Sequence, residues 1–310
     1  FPGPLGFIMY NTFVGILQSV GDSRHPLIYL IVSSCINVAL DLLFIGGLGL
    51  GVGAAALATV ISQFTSAILC MIHLLRTKEE YRLSIRKIRF DGRVLGEIIR
   101  NGVPSGFQNS VISIANVFVQ TNINAFGKMA MAGCGSYAKI EGFAFLPVTC
   151  FTMALTTFVS QNLGAKQYDR VRGIYRLAIS CNLVVSAIGF LLFQFFPKQI
   201  IALFGTGDEL YFTFAVRFMR IFLFMVIVNG VQLLSSNFFA AIGKPLKGML
   251  LSLTRQVYFL IPLLLILPLF FGMDGILFSA PIADTAAFLT TVILIRKEMK
   301  LMREQELALK

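Results

Sequence analysis

Two polar side chains share one face of an otherwise apolar segment near the start of the chain. Asp41 and Asn37 are four residues apart in the run LIYLIVSSCINVALDLLFIGG, residues 27–47. In a helix, an i, i+4 spacing puts both side chains on the same face. A carboxylate within an apolar membrane segment is costly unless it is solvated, paired or neutral. We therefore predict that Asp41 and Asn37 hold a cation, either a proton or Na⁺; the alternative is a structural hydrogen bond to a neighbouring helix.

The composition places this segment in a membrane. The chain has 310 residues, of which 56% are hydrophobic and 13% charged, with a mean hydropathy of +0.80. Soluble domains carry about 25% charged residues. Nine apolar segments are predicted; most are long enough to cross the ~30 Å of hydrocarbon in a bilayer, and the first is short. They cover residues 5–20, 27–47, 52–75, 104–126, 130–160, 174–195, 212–241, 246–271 and 275–295.

The basic residues lie on alternate loops. Twenty of the 26 Lys and Arg residues are in the loops at 21–26, 76–100, 162–176 and 243–247 or follow residue 295. The positive-inside rule places these loops in the cytoplasm. The net charge of +11 is then explained by the basic cytoplasmic loops of a membrane protein, and no nucleic-acid partner is expected. The stretch 77–97 alternates basic and apolar residues, and we interpret it as an interfacial connecting helix on the anionic leaflet.

Two further segments carry polar stripes at helical spacing. Such stripes face protein or water rather than lipid, and they indicate either a wet cavity or hydrogen bonds that hold helices together. The stripes consist of Asn109, Ser113, Asn116 and Gln120 in the fourth segment, and of Asn229, Gln232 and Ser236 in the seventh.

Charged residues also occur in three other apolar segments. Glu141 shares a face with Tyr137, and it is either half of an ion pair with Lys139 near the outer interface or part of a second cation site. Arg255 lies near the predicted cytoplasmic end of its segment, where its side chain can snorkel to water. Asp284 resembles Asp41 in lying within an apolar run. The sequence assigns no role to Lys139, Arg255 or Asp284.

No pattern of catalytic or cofactor-binding residues is present. The five cysteines have neither metal-ligand nor disulfide spacing, and two histidines argue against a His-rich metal site. The sequence contains no phosphate-binding loop of the form G-x-x-x-x-G-K-[ST], which argues against an ATP-driven pump. We therefore expect neither an enzyme nor a cofactor, and no metal beyond a possible Na⁺ at Asp41.

An internal repeat indicates two lobes. Residues 21–76 align with 243–298 at an offset of 222, which pairs two glycines and one alanine of each copy. Both copies have the same orientation, so the lobes are related by a parallel pseudo-two-fold axis. The predicted domains are a partial N-lobe (1–76), a cytoplasmic linker (77–100), a C-lobe (101–298) and a tail (299–310). With six helices per lobe, about nine of twelve are present, and we expect the sequence to be a fragment that lacks its N-terminal helices.

Four stretches of the chain form a recognisable pattern: LQSVGDSRHP, INVALDLLFIGGLGLGVGAAALATVISQ, GVPSGFQNSVISIANVFVQ and ALTTFVSQNLGAKQYDRVR. The second, with N-x-x-x-D, is the most specific. Through these stretches the chain resembles the multidrug and toxic compound extrusion (MATE) family of secondary transporters, and the resemblance covers nearly the whole chain. It implies an all-α, polytopic membrane bundle of two six-helix lobes that opens alternately to the two sides of a bacterial inner membrane. It also implies that export of organic compounds is coupled to entry of H⁺ or Na⁺.

The resemblance also supplies candidate site residues. By motif, Asn37, Asp41, Thr59 and Asn11 match the family's cation-binding positions. Other family members carry an acidic residue eight positions after the proline of G-x-P, but Ile112 stands there in this chain. The candidate substrate cavity comprises Gln108, Asn109, Ser113, Asn116, Gln120, Glu141, Asn229 and Gln232. The expected partners are small organic, often cationic, substrates, the coupling cation and membrane lipid. The alternatives are a lipid-linked oligosaccharide flippase of related architecture and a non-transporting membrane scaffold.

Overall fold

The regular elements of the protein are helices. The computed structural model describes residues 3–124, 128–204 and 209–309, and within these ranges every element is helical. In chain order they are α1 (Gly3–Ser19), α2 (Arg24–Asp41) with a π-helical continuation (Leu42–Gly47), α3 (Val52–Arg76), a 3₁₀ turn (Ile85–Lys87), α4 (Gly92–Asn124), α5 (Lys128–Gly164), α6 (Tyr168–Phe195), α7 (Pro197–Phe204), α8 (Glu209–Phe222), a 3₁₀ turn (Leu223–Met225), α9 (Val226–Ala241), α10 (Pro245–Leu253), a π-helix (Thr254–Leu260), α11 (Ile261–Phe271) and α12 (Met273–Leu309).

Seven helical segments among the described residues are long and apolar enough to cross a membrane, which makes the chain a multi-pass membrane protein. They are Arg24–Gly47, Gly53–Arg76, Met131–Gly164, Tyr168–Phe195, Tyr211–Ala241, Pro245–Phe271 and Met273–Leu307. Two of the nine predicted segments are helical but fall outside this set. Helix α1 has 17 residues, fewer than the ~20 that span a bilayer, and α4 carries the polar stripe along its 33 residues.

The chain divides into two compact units, Phe1–Asp91 (the first unit) and Gly92–Lys310 (the second unit). The boundary lies within the basic stretch, which is not the single helix that we predicted. Residues 77–91 contain one 3₁₀ turn, flanked by extended backbone at Ser84 and Ile88, and α4 begins at Gly92. Basic and apolar residues alternate here with a period near two, which suits extended backbone rather than a helix.

Each unit has its own apolar core. In the first unit, α1 and α2 both pack on α3, and Leu17, Cys70 and Leu74 are fully buried there. The second unit has two clusters. One lies around Phe218 of α8, and the other lies around Phe238 of α9. Many large apolar side chains elsewhere on the spanning helices are exposed, as lipid-facing surfaces require.

The two copies of the repeat have the same local structure. Gly21 and Gly243, at equivalent positions, both follow a helix and adopt positive φ, at 87° and 72°. Each copy then forms a long helix with a π segment, a turn containing a second positive-φ glycine, and another long helix. Only glycine adopts this conformation without strain, so the turns account for these residues in both copies.

Two lysines at the start of the second copy form ion pairs with a glutamate at its end. Lys244 and Lys247, from the turn that opens this copy, both form ion pairs with the buried carboxylate of Glu298 on α12. The Lys247 Nζ to Glu298 Oε2 distance is 2.9 Å. The residue before α10 and the first turn of α10 are therefore held to α12.

The repeat supplies a matched test of helix packing. A Cβ atom at Gly275 would collide with the backbone of Leu267 and Pro268 in α11, whereas nothing lies within 4 Å of one at the equivalent Gly53. We expect Gly275→Ala to lower the free energy of unfolding by about 1–3 kcal/mol through overpacking. Gly53→Ala should leave it unchanged or slightly higher. Thermal unfolding of the detergent-solubilised protein measures both, and equal midpoints for the two variants would contradict this packing.

Candidate functional site

The predicted cation-binding pair lies on α2 of the first unit. Asn37 and Asp41 are both partly buried, and the Asn37 Nδ2 and Asp41 Oδ1 atoms are buried without a hydrogen-bond partner among the described residues. Buried polar atoms are almost always hydrogen-bonded, so two such atoms on one helix face indicate room for a ligand. Rotation of the Asn37 amide by 180° would present its oxygen in place of the nitrogen.

The backbone changes its hydrogen-bonding pattern next to this pair. Asp41 is the last residue of α2, and the π-helix Leu42–Gly47 follows directly. Single-turn π segments within helices occur frequently at functional sites. Asp41 precedes the end of the helix by six residues, or about 9 Å at 1.5 Å per residue. The carboxylate therefore lies between the middle of the segment and its predicted outer end.

The other two predicted cation ligands are not hydrogen-bonded to Asp41. Asn11 is exposed, and its Nδ2 donates to the backbone oxygen of Phe7, 2.8 Å away. Thr59 is also exposed, and its hydroxyl donates to the backbone oxygen of Ala55 at 3.0 Å. Both bonds lie within the residue's own helix, as is usual for short polar side chains in apolar segments.

The second unit contains a cavity of about 430 Å³. Helices α4, α5, α9 and the π-helix Thr254–Leu260 each contribute polar side chains to it. Phe145 and Phe222 supply aromatic surface. The size and the mostly apolar lining with a few polar groups are typical of sites for small organic ligands. The polar and charged lining residues are Gln108, Asn116, Tyr137, Glu141, Asn229, Gln232, Ser236, Ser252, Arg255 and Gln256.

Charged groups meet at one side of this cavity. Arg255 forms an ion pair with Asp284 of α12, and both side chains are largely buried. Glu141 is hydrogen-bonded to Tyr137 and lies close enough to Arg255 and Asp284 to interact with both charges. The interpretation of Arg255 was wrong, because it is paired inside the unit rather than snorkelling to water. Of the two alternatives for Glu141, the ion pair with Lys139 was wrong, because Glu141 faces this group while Lys139 is exposed.

The cavity receives only part of the predicted polar stripe of α4. Asn116 lines it, but Asn109, Ser113 and Gln120 are exposed and are not among its lining residues. Successive helical residues are separated by about 100°, and the row that lines the cavity begins one residue before Asn109. That row is Gln108, Ile112, Asn116, Val119 and Ile123. Of the other predicted substrate residues, Glu141, Asn229 and Gln232 line the cavity.

The sequence analysis did not identify the polar residues that the π-helix places in the cavity wall. Arg255 and Gln256 both lie in the π-helix Thr254–Leu260, and the Oε1 atom of Gln256 is buried without a partner among the described residues. The available signal was the occurrence of consecutive Arg and Gln in an apolar segment, because such groups in a membrane segment face the protein interior. The π geometry itself has no comparably clear sequence signature.

Comparison with known proteins identifies the family. The profile of the MatE family matches residues 104–266, which is more than half of the chain. The chain belongs to the MatE family. A probable multidrug resistance protein of Bacillus subtilis, YoeA, is 29% identical over 237 residues, which cover 74% of this chain and 51% of that protein. An FAD transporter of Shewanella oneidensis is 24% identical over 279 residues, covering 86% of this chain and 60% of that protein.

The fold agrees with solved MatE-family structures. The structure of an outward-facing multidrug resistance MATE family transporter superposes with a TM-score of 0.88 at 22% identity, and the match covers 95% of this chain and 66% of that one. The chain spans about half to two thirds of the length of the curated relatives that it matches. The predicted all-α membrane bundle and the resemblance to the family are thereby confirmed. The membership also agrees with the expectation that the chain is not an enzyme.

The buried ion pair of the second unit makes a testable contribution to stability. We expect Asp284→Asn to cost about 3–5 kcal/mol because it leaves the Arg255 guanidinium buried and unpaired. Replacing both partners, as Arg255→Met with Asp284→Leu, should cost less than the single change. The exposed pair Arg217–Asp274 is the control, and Asp274→Asn should cost under ~1 kcal/mol. Thermal unfolding in detergent measures all three, and a single change that is cheaper than the double would contradict the assigned pairing.

Proposed function

We propose that this MatE-family protein takes part in cation-coupled export of small organic compounds across a bacterial inner membrane by alternating access. The observation that carries the proposal is the unpartnered Asp41 oxygen beside the unpartnered Asn37 amide in an apolar helix. The multidrug resistance protein and the FAD transporter among its relatives support a transport function. The cavity of the second unit provides the space for a substrate.

In this proposal, the cation acts at the Asp41 carboxylate. A proton or Na⁺ neutralises the charge and removes the cost of holding it in an apolar segment. A conformation that exposes Asp41 to water favours the ionised form, and one that closes around it favours the loaded form. Cation binding therefore shifts the equilibrium between the two conformations by its difference in affinity for them. The π-helix Leu42–Gly47 is the adjacent segment whose hydrogen bonds can rearrange in this step.

In the same proposal, the cavity of the second unit binds organic cations. Asp284 balances the charge of Arg255, so Glu141 is the remaining acidic group of the lining, and it gives the lining a net negative charge when its carboxyl group is ionised. Phe145, Phe222 and Tyr137 add ring faces, which attract cations through their quadrupoles. This combination favours lipophilic cations over dianions. An anionic substrate, like that of the FAD transporter relative, would need Arg255 to leave Asp284 and face the ligand.

The Asp41 carboxylate is tested by its isosteric amide. We expect Asp41→Asn in the full-length protein to abolish resistance of the host cell to toxic organic cations while expression stays normal, because the amide cannot exchange a cation. Cell survival and efflux of a fluorescent cation report the effect. Asp274→Asn, which removes an exposed carboxylate, should leave both unchanged. Wild-type efflux by Asp41→Asn would contradict the proposal. Proteoliposomes with separate H⁺ and Na⁺ gradients then identify the coupling ion.

The charge of the cavity predicts which substrates are affected by Glu141. We expect Glu141→Gln to weaken binding of ethidium, a planar organic cation, about ten-fold, which corresponds to ~1.4 kcal/mol. Binding of FAD should not weaken. Lys139→Gln is the matched control, because Lys139 lies two residues away and is exposed. Fluorescence titration of the purified protein measures each affinity. Tighter FAD binding than ethidium binding by the unaltered protein would favour an anionic substrate instead.

A further inference from the structure

The two histidines of the chain meet at one carboxylate in the first unit. Asp22 lies in the turn between α1 and α2, His25 is in the first turn of α2, and His73 is in the last turn of α3. The His25 Nδ1 atom is 2.7 Å from Asp22 Oδ2, and the His73 Nε2 atom is 3.8 Å from the same oxygen. One donor atom from each residue lies within 4.8 Å of the other two. The fold thus joins residues that are far apart in the sequence.

Neighbouring groups fix the orientation of these side chains. The backbone N–H of His25 donates to Asp22 Oδ1 at 3.2 Å, which leaves Oδ2 facing the two imidazoles. The Tyr29 hydroxyl lies 3.0 Å from His73 Nδ1, so the other ring nitrogen of His73 faces Asp22. Hydrogen bonds of this kind to the second nitrogen of a ligating histidine are usual around metal ions. The exposed fractions of the His25, Asp22 and His73 side chains are 44%, 18% and 18%, so ions reach the cluster from solvent.

The electrostatics keep Asp22 anionic. Burial raises the pKa of its carboxyl, but hydrogen bonds from the His25 backbone and side chain, together with the charges of both imidazoles, outweigh this effect and leave the pKa below its ordinary value. The cluster therefore presents one carboxylate oxygen and two imidazole nitrogens at neutral pH.

The internal repeat indicates which parts of the first unit the cluster connects. At the offset of 222, Asp22 corresponds to Lys244 and His25 to Lys247, the two lysines that clasp Glu298 on α12. His73 lies one turn before the position equivalent to Glu298. Each copy therefore joins residues at its start to a residue near its end, on the second helix of the copy. In the second copy, two ammonium groups and a carboxylate do this directly. In the first copy the carboxylate is on the turn, where His25 is hydrogen-bonded to it and the His73 Nε2 atom lies 3.8 Å away.

We propose that Asp22, His25 and His73 form a binding site for a divalent transition metal of the Zn²⁺ class, and that the bound ion holds the α1–α2 turn to the end of α3. Two imidazole nitrogens and one carboxylate oxygen are typical zinc ligands, and water fills the fourth position. Mg²⁺ and Ca²⁺ prefer all-oxygen sites and are not expected to bind. Tetrahedral ligands at bonds of about 2.0–2.1 Å lie about 3.3 Å apart, so closure around the metal needs side-chain movements of about 1 Å.

Metal binding has a consequence for stability that needs no transport assay. The ion would link the α1–α2 turn to α3. A ligand that binds only the folded state stabilises that state, and the stabilisation grows with the logarithm of the ligand concentration once this exceeds Kd. We expect micromolar Zn²⁺ to raise the thermal unfolding midpoint of the full-length protein, purified in detergent through a tag without histidine and stripped with EDTA. Mg²⁺ at millimolar concentration should have no effect.

The variants separate specific binding from surface adsorption. His25→Ala and His73→Ala should abolish the Zn²⁺-dependent shift, and Tyr29→Phe should weaken metal affinity about 10-fold by removing the partner of His73. Glu79→Gln, an exposed acidic residue elsewhere in the first unit, is the control and should behave as the unaltered protein. Bound Co²⁺ should give the intense visible absorption of tetrahedral coordination at one ion per chain.

Three outcomes would overturn the metal site. The first is a Zn²⁺ shift that persists in His25→Ala; this residue is the most exposed of the three, so its variant is expected to fold. The second is a Co²⁺ spectrum of octahedral type. The third is the absence of any metal-dependent shift in the unaltered protein. None of these outcomes depends on whether Asp41 couples transport to a cation.

Discussion

The cost of an ionised group inside a membrane governs the arrangement of polar residues in this protein. A charge in that environment requires a partner, water or neutralisation. The second unit supplies partners, since Arg255 and Asp284 neutralise each other and Tyr137 is hydrogen-bonded to Glu141. The first unit leaves the Asp41 Oδ1 atom without a hydrogen-bond partner among its described residues. The same physical constraint therefore accounts for the ion pair in one unit and, in our proposal, for a cation site in the other.

The helices position these groups by departing from regular geometry at the same places. The π-helices Leu42–Gly47 and Thr254–Leu260 lie next to Asp41 and around Arg255, respectively. A π segment rotates the side chains that follow it relative to a regular helix and weakens local backbone bonding. In apolar surroundings this irregularity is tolerated only where neighbouring protein or a cavity satisfies the backbone. In both units the irregular backbone therefore lies beside the polar groups within an apolar segment.

Much of the fold could be predicted from the sequence, because membrane helices follow from the length and apolarity of segments. The described residues of all nine predicted segments are helical, with residues 125–126 of the fourth lying outside the described range, and the repeat identified from Gly21 and Gly243 is visible in their shared positive φ. The residues of the candidate site were harder to predict from the sequence. Periodicity found a polar face on α4 but not which row of that face lines the cavity, since a shift of one residue turns the helix by about 100°. The pairing of Arg255 with Asp284 joins helices whose relative rotation the sequence does not encode locally.

The histidines illustrate the same limit more clearly. Two isolated histidines, 48 positions apart, gave no metal-binding spacing in the sequence. Their approach to Asp22 depends on the antiparallel packing of α2 on α3, which brings the first turn of one helix beside the last turn of the other. The second copy of the repeat brings Lys244, Lys247 and Glu298 together by the same packing, but there the side chains have opposite charges and form ion pairs directly. One topology with different side chains thus gives a contact that needs no bound ion in the second unit. In the first unit it gives a contact whose strength depends on what the imidazoles bind. Since Asp41 and Asn37 also belong to the first unit, both proposed responses to ions fall within α2 and the helix on which it packs.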